Sequence, residues 1–172
     1  MRLAIVQMNS GADPDRNLAS LAGCVEQAAA AGAEFAVLPE NFALMSEDRD
    51  QRCALAEADG DGPIQAAVSE LARRHGIWIV AGTIPIRSSD PERPYATCFV
   101  YDAQGNEAAR YDKIHLFDVQ LPDGQSAYAE SGYTMPGHRP VAVDTPWGRV
   151  GLAVCYDLRL SLIHISEPTR LQ

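Results

Sequence analysis

The chain has 172 residues, which fits one domain. Hydrophobic residues make up 47% and charged residues 22%, a balance that supports a packed core and excludes a disordered tail. The net charge of −9 excludes the basic field of a nucleic-acid binder, and no apolar run approaches the roughly 18–20 residues of a membrane span.

Leu3-Ala4-Ile5-Val6 reads as a short buried strand, too short for the apolar segment of a signal peptide, so a cytoplasmic location is the default expectation. Asp13-Pro14-Asp15 carries helix-start chemistry, and Asn17 to Ala31 reads as a helix with Leu18, Leu21, Ala22 and Val25 on one face. Gly32 stops it, and Phe35 to Leu38 forms a second strand closed by Pro39. Gly62-Pro63 opens a helix over Ile64 to His75, and Ile77 to Gly82 follows as the third strand.

Ser88 to Pro94 is a loop rich in Pro, Ser and charge. Tyr95 to Tyr101 and Ala108 to Ile114 are strands joined by a hairpin-like turn at Asp102 to Asn106. Pro122-Asp123-Gly124 and Met135-Pro136-Gly137 mark turns in a long loop. Val141 to Thr145 and Arg149 to Val154 are two more strands joined at Pro146-Trp147-Gly148. Strand–helix alternation ends at Tyr95, so the class is α/β (α+β), with mixed sheets covered by helices.

Cys24, Cys53, Cys98 and Cys155 are widely spaced, as are His75, His115, His138 and His164. Neither set has the spacing of a zinc site or a disulfide framework. Three residues sit at or just beyond the ends of expected strands, where open sheets place their sites: Glu40, Lys113 and Cys155. Singly each is ordinary. A lone Cys is usually a small buried residue, a Glu after Pro a solvated loop residue, and a Lys beside Asp112 a surface charge.

Their flanks change that reading. Leu38-Pro39-Glu40-Asn41 resembles the segment around the catalytic glutamate of the nitrilase superfamily of carbon–nitrogen hydrolases. Tyr111-Asp112-Lys113-Ile114-His115-Leu116-Phe117-Asp118 resembles the segment around its lysine. Gly151-Leu152-Ala153-Val154-Cys155-Tyr156-Asp157-Leu158-Arg159 resembles the segment around its nucleophilic cysteine, and all three stand in the family's order. The resemblance implies the N-terminal part of a nitrilase-like α-β-β-α sandwich, with residues 1–160 belonging to the hydrolase domain.

The resemblance also implies a chemistry. Amides resist hydrolysis, so the reaction wants a strong nucleophile and a covalent intermediate. Cys155 would attack the amide carbon, and Glu40 would take the thiol proton and pass it to ammonia. Lys113 and the Tyr156 backbone N–H would stabilise the oxyanion, and Lys113 would favour the thiolate. Glu130 is either a second family glutamate supporting Lys113 or a solvated loop residue. Arg159 either binds a substrate carboxylate or forms a structural ion pair with Asp157 or another acid. His115 is expected to pack or hydrogen-bond beside Lys113 rather than act as a base.

The His115-Leu116-Phe117-Asp118 run and the Pro122-Asp123-Gly124 loop resemble the branch with deaminated-glutathione amidases and omega-amidases. The expected activity is therefore that of an amidase releasing ammonia from a small carboxyl-bearing amide. It needs no cofactor or metal, and homo-oligomers are common in the family. Nitrile or N-carbamyl hydrolysis by the same triad is an alternative. The sequence departs from the family after Leu160, so residues 161–172 are expected to be a non-family tail on a C-terminally truncated chain. Such a chain, with an uncovered sheet edge, is expected to be poorly soluble or inactive, and a non-catalytic fragment or binding subunit is the third reading.

Overall fold

The computed structural model describes residues 1–120 and 127–160. Strand β1 (Leu3–Ile5) is followed by helix α1 (Pro14–Ala30) and strand β2 (Phe35–Val37). Helices α2 (Arg49–Ala54) and α3 (Pro63–His75) lead to β3 (Trp78–Ile86), β4 (Tyr95–Tyr101) and β5 (Glu107–Asp112). These strands form one sheet in the order β1-β2-β3-β4-β5. Its first three strands are parallel and its last two antiparallel. The mixed sheet expected from the loss of alternation at Tyr95 is what forms.

Local chemistry sets the helix ends. The Asp13 side chain accepts from the N–H groups of Asp15 and Arg16, with Pro14 in the first turn, so α1 begins at Pro14 rather than at the expected Asn17. Asn17 is instead buried. It donates to the carbonyls of Gly11 and Ala43, tying α1 to the loop that follows β2. Helix α3 starts with Pro63 and ends at Gly76 in the left-handed conformation, φ 64°. The buried Glu57 carboxylate accepts from the Gln65 N–H, serving as a remote cap for α3.

Strand alternation divides the core. Ala36, Ile79, Ala81 and Phe99 face α1 and α3, against Leu21, Val25, Ile64 and Val68. On the other face Cys98, Val100 and Tyr111 meet Val143, Leu152 and Val154, with Trp78 and Val80 packed beside them. These come from the hairpin of β8 (Ala142–Thr145) and β9 (Gly148–Gly151) and the segment after it. Trp147, in the hairpin turn, meets Phe35 and Trp78 edge-on, with ring centroids 5.9 and 6.4 Å apart. Leu3 and Ile5 are exposed on this same face.

Several elements differ from expectation. Helix α2 was not expected; Asp48 caps it through the N–H groups of Asp50 and Gln51. The expected long loop contains β6 (Asp118–Gln120), β7 (Ala127–Ala129) and a 3₁₀ turn at Glu130–Gly132. All are shorter than the span over which periodicity can be read. Strand β3 runs past Gly82 because an irregularity between Ala81 and Ile84 restores pairing with β4. The strand expected to reach Val154 stops at Gly151. The Pro122-Asp123-Gly124 turn and the 161–172 tail lie outside the described residues. Among the described residues, no helix is long and apolar enough to cross a membrane, and no cluster of three or more His, Cys, Asp or Glu could hold a metal ion.

Candidate active site

Lys113 is the first residue beyond β5, and its N–H extends the ladder by donating to the Ala96 carbonyl at 3.0 Å. Its side chain turns inward and is 1% exposed. The ammonium donates to Glu40 Oε1 at 2.8 Å and to both oxygens of Glu130, at 3.0 and 2.9 Å. Burial alone would discharge such a lysine. The hydrogen bonds and charges of Glu40 and Glu130 outweigh it and raise the Lys113 pKa. Two carboxyl groups thus converge on one ammonium.

Glu40 is aimed by the loop after β2. Leu38 donates to the Val80 carbonyl, and the Asn41 N–H donates to Thr83 Oγ1 at 2.8 Å. Both partners lie on β3. Gly82, φ 30°, lets the Pro39 carbonyl approach; a Cβ there would overlap that oxygen. Asn41 itself is held at φ 55°, an uncommon value for a residue other than glycine. Glu130 is anchored in turn, because Oε2 accepts from the Phe117 N–H at 2.7 Å and its own N–H donates to the Phe117 carbonyl.

Cys155 is exposed and holds φ 49° in the turn between β9 and helix α4 (Asp157–Leu160). It is not a strand end, as the sequence suggested, but the apex of a strained turn. Burial raises its thiol pKa, as do the Glu40 charge and a hydrogen bond to Glu40, while the Lys113 charge lowers it. The net shift is upward. Lys113 acts on the thiol in the expected direction, lowering its pKa, but burial and the Glu40 charge outweigh it.

The remaining candidates separate. Tyr156 packs edge-on against Phe117, 5.2 Å between ring centroids. Arg159 is exposed on α4 and does not pair with Asp157. Asp157, named from the sequence only as a possible partner of Arg159, is 1% exposed. It accepts from Tyr111 Oη at 2.7 Å, the Val154 N–H at 2.9 Å and the His115 N–H at 2.9 Å, with His115 Nδ1 2.8 Å away. Burial opposes its charge, but these hydrogen bonds hold its carboxyl below the usual carboxylate value. His115 thus hydrogen-bonds near Lys113, as expected, to a partner that only the fold supplies.

A buried ammonium between two carboxylates, near a thiol on a strained turn, suits acyl transfer. It combines a nucleophile, a base and a cation for developing negative charge. The family model described as carbon–nitrogen hydrolase matches residues 2–166. The chain is 40% identical over 158 residues to a deaminated glutathione amidase of Yersinia enterocolitica, covering 91% of this chain and 54% of that protein. It superposes on the Caenorhabditis elegans NitFhit protein with a TM-score of 0.82 at 34% identity, covering 91% of this chain and 38% of that one. It also resembles the amidase from Nesterenkonia sp. AN1, TM-score 0.74 and 26% identity, covering 92% of this chain and 58% of that chain. That structure is a variant showing Michael addition of acrylamide at its active site cysteine. The chain thus spans about half the length of the curated relatives it matches.

Proposed function

The chain belongs to the carbon–nitrogen hydrolase family, and on that premise we propose that the protein is a cysteine-dependent amidase releasing ammonia from a small carboxyl-bearing amide. The observation that carries this reading is the position of Lys113 Nζ, 2.8 Å from Glu40 and 2.9 Å from Glu130, with the Cys155 thiol near enough for the charges of Glu40 and Lys113 to act on it. The acrylamide adduct on the cysteine of the Nesterenkonia amidase supports Cys155 as the nucleophile.

In this mechanism Glu40 takes the thiol proton as Cys155 Sγ bonds to the amide carbon. The carbonyl π electrons move to oxygen, and the oxyanion is met by Lys113 and the Tyr156 N–H. The C–N bond breaks as Glu40 returns the proton to nitrogen, releasing ammonia and leaving a thioester. Glu40 then takes a proton from water, whose oxygen attacks the thioester. The acid leaves and the thiol regains its proton. Glu130 holds Lys113 in place and offsets its charge through both carboxylate oxygens.

The test is ammonia release from a 2-oxo acid amide by the protein and by its Cys155→Ala variant. Release that disappears with the thiol supports the reading. Release that survives the substitution, or that occurs from nitriles only, overturns it.

A further inference from the structure

A pocket of about 490 Å³ opens at the start of α3 and shares no residue with the catalytic cluster. Two carboxylates stand on its wall, Asp61 just before α3 and Glu107 at the head of β5, and no lysine or arginine lines it. Both are exposed, and neither forms an ion pair among the described residues. Partial burial and the Asp59 charge raise the Glu107 carboxyl above its ordinary value, against the opposing charge of Arg110. Arg110 is already taken up by Asp59 and Asp112.

Two exposed acids alone would be an ordinary solvated face. Tyr101 makes the difference. It is 4% exposed, it lines the pocket, and its hydroxyl meets no hydrogen-bond partner among the described residues. The described polar side-chain atoms sealed from solvent without a partner are Arg52 Nε and Thr134 Oγ1, so the Tyr101 hydroxyl opens into the pocket. Burial raises its pKa, and the charges of Glu107, Glu57 and Asp59 raise it further. Tyr101 faces Glu107 across the β4–β5 pair, at the irregularity after Val100, a device that re-aims side chains.

The walls are fixed before any ligand arrives. Gln65 Oε1 accepts from the Gly60 N–H at 3.0 Å, and its Nε2 donates to Glu57 at 3.0 Å and to the Ala58 carbonyl at 2.7 Å. Ser69 Oγ donates to the Gly105 carbonyl at 2.6 Å, tying α3 to the turn between β4 and β5. The Glu57 charge is answered by the N–H groups of Ile64 and Gln65, at 2.5 and 3.1 Å. Asp61 and Glu107 are left facing the pocket without a cation.

The space far exceeds a bare ion, since one water takes about 30 Å³. No group of three or more His, Cys, Asp or Glu among the described residues could hold a metal. Two carboxylates call for two positive charges, and Pro63, Ala66 and the Tyr101 ring add an apolar bed on the same wall. We propose that this pocket binds an aliphatic diamine, with one ammonium at Asp61, the other at Glu107, and an ammonium N–H donated to Tyr101 Oη. The hydrocarbon chain lies on Pro63 and Ala66. The site does not depend on the amidase reading, and its test needs no turnover.

Isothermal titration calorimetry of the protein with putrescine, a four-carbon diamine, tests this. Butylamine lacks one of its charges, and the diol of the same length lacks both. Putrescine should bind, butylamine should bind at least about 10-fold more weakly, and the diol should not bind, a tenfold step being that of one charge-assisted hydrogen bond. Asp61→Asn and Glu107→Gln should each weaken putrescine by roughly 10-fold, and Tyr101→Phe by roughly 3- to 10-fold, since the ring remains. Glu26→Gln, which removes an exposed charge of α1 outside the pocket, should change nothing. The absence of putrescine binding, equal affinity for butylamine, or an equal loss with Glu26→Gln, the mark of diffuse attraction to a chain of charge −9, overturns the proposal. Asp61 and Glu107 are exposed, so their variants carry the comparison if Tyr101→Phe does not fold.

Discussion

Tyr111, two residues before Lys113, donates its hydroxyl proton to Asp157, two residues after Cys155, at 2.7 Å. This bond ties the segment that supplies the ammonium to the turn that supplies the thiol. The same carboxylate accepts from Val154 and His115, so the strained turn is held from both sides.

Removing that tie should loosen the site before it unfolds the protein. Tyr111→Phe should lower stability by about 1–3 kcal/mol, the usual cost of an unmade buried hydrogen bond. Because it acts on geometry rather than on a reacting atom, kcat should fall with little change in KM. Denaturant unfolding and steady-state kinetics check the two parts, and equal stability with full activity would contradict the tie.

Asp157 also sets an acid limit. Its folded pKa lies below the ordinary value of 3.8, so its stabilisation is complete above the unfolded value and is lost as pH falls through the folded one. The stability difference between the protein and Asp157→Asn should be constant above about pH 4 and shrink below it. Urea melts at several pH values measure this. A difference that grew on acidification would reverse the sign and reject the account.

Lys113 and Glu130 should differ in kind. Lys113→Met removes the oxyanion partner and leaves two carboxylates facing each other. Activity should fall by about 10²–10³ or more, with a stability loss of roughly 3–5 kcal/mol. Glu130→Gln keeps a hydrogen-bond acceptor for Lys113, so its stability loss should be smaller. Paired kinetic and melting data decide this, and the opposite ranking would move the structural role to Glu130.

The resting state of the thiol is open to direct measurement. Cys155 is exposed, while Cys98 is buried and Cys24 and Cys53 are partly covered, so iodoacetamide should reach Cys155 first. Its labelling rate should keep climbing past pH 9.0, since its pKa lies above that ordinary value. Glu40→Gln removes the negative charge that raises it, so the labelling midpoint should shift to lower pH while turnover is lost. A plateau near neutrality in the unaltered protein would indicate a stable thiolate.

Gly82 links the sheet to the base. Gly82→Ala would put a Cβ against the Pro39 carbonyl at φ 30°, which should cost about 2–3 kcal/mol and displace Glu40. Crystallography of the variant together with its kcat would test this; an unmoved Glu40 would show that the loop absorbs the change elsewhere.

Apart from helix α2, the linear chain already carried the strand-and-helix order through Tyr101 and the three family segments, because those signals are local. Each apolar run, the Gly62-Pro63 pair and each of the Glu40, Lys113 and Cys155 motifs is contained within a few consecutive residues. Helix α2, β6 and β7 escaped because elements of three to six residues have too little periodicity to stand out. The end of β9 at Gly151 escaped because Leu152 and Val154 are apolar for a different reason: they pack against Cys98, Val100 and Tyr111.

Tertiary structure alone decided which polar residues meet. Asp157 and Tyr111 were both visible in the quoted segments, yet 46 positions separate them, and nothing local marks them as partners. The charge on Lys113, the proton on Cys155 and the left-handed turn beneath it likewise depend on neighbours brought from distant segments. Residue types and order state what chemistry is available. Burial, distance and charge balance, which exist only once the chain has folded, determine the protonation state in which that chemistry waits.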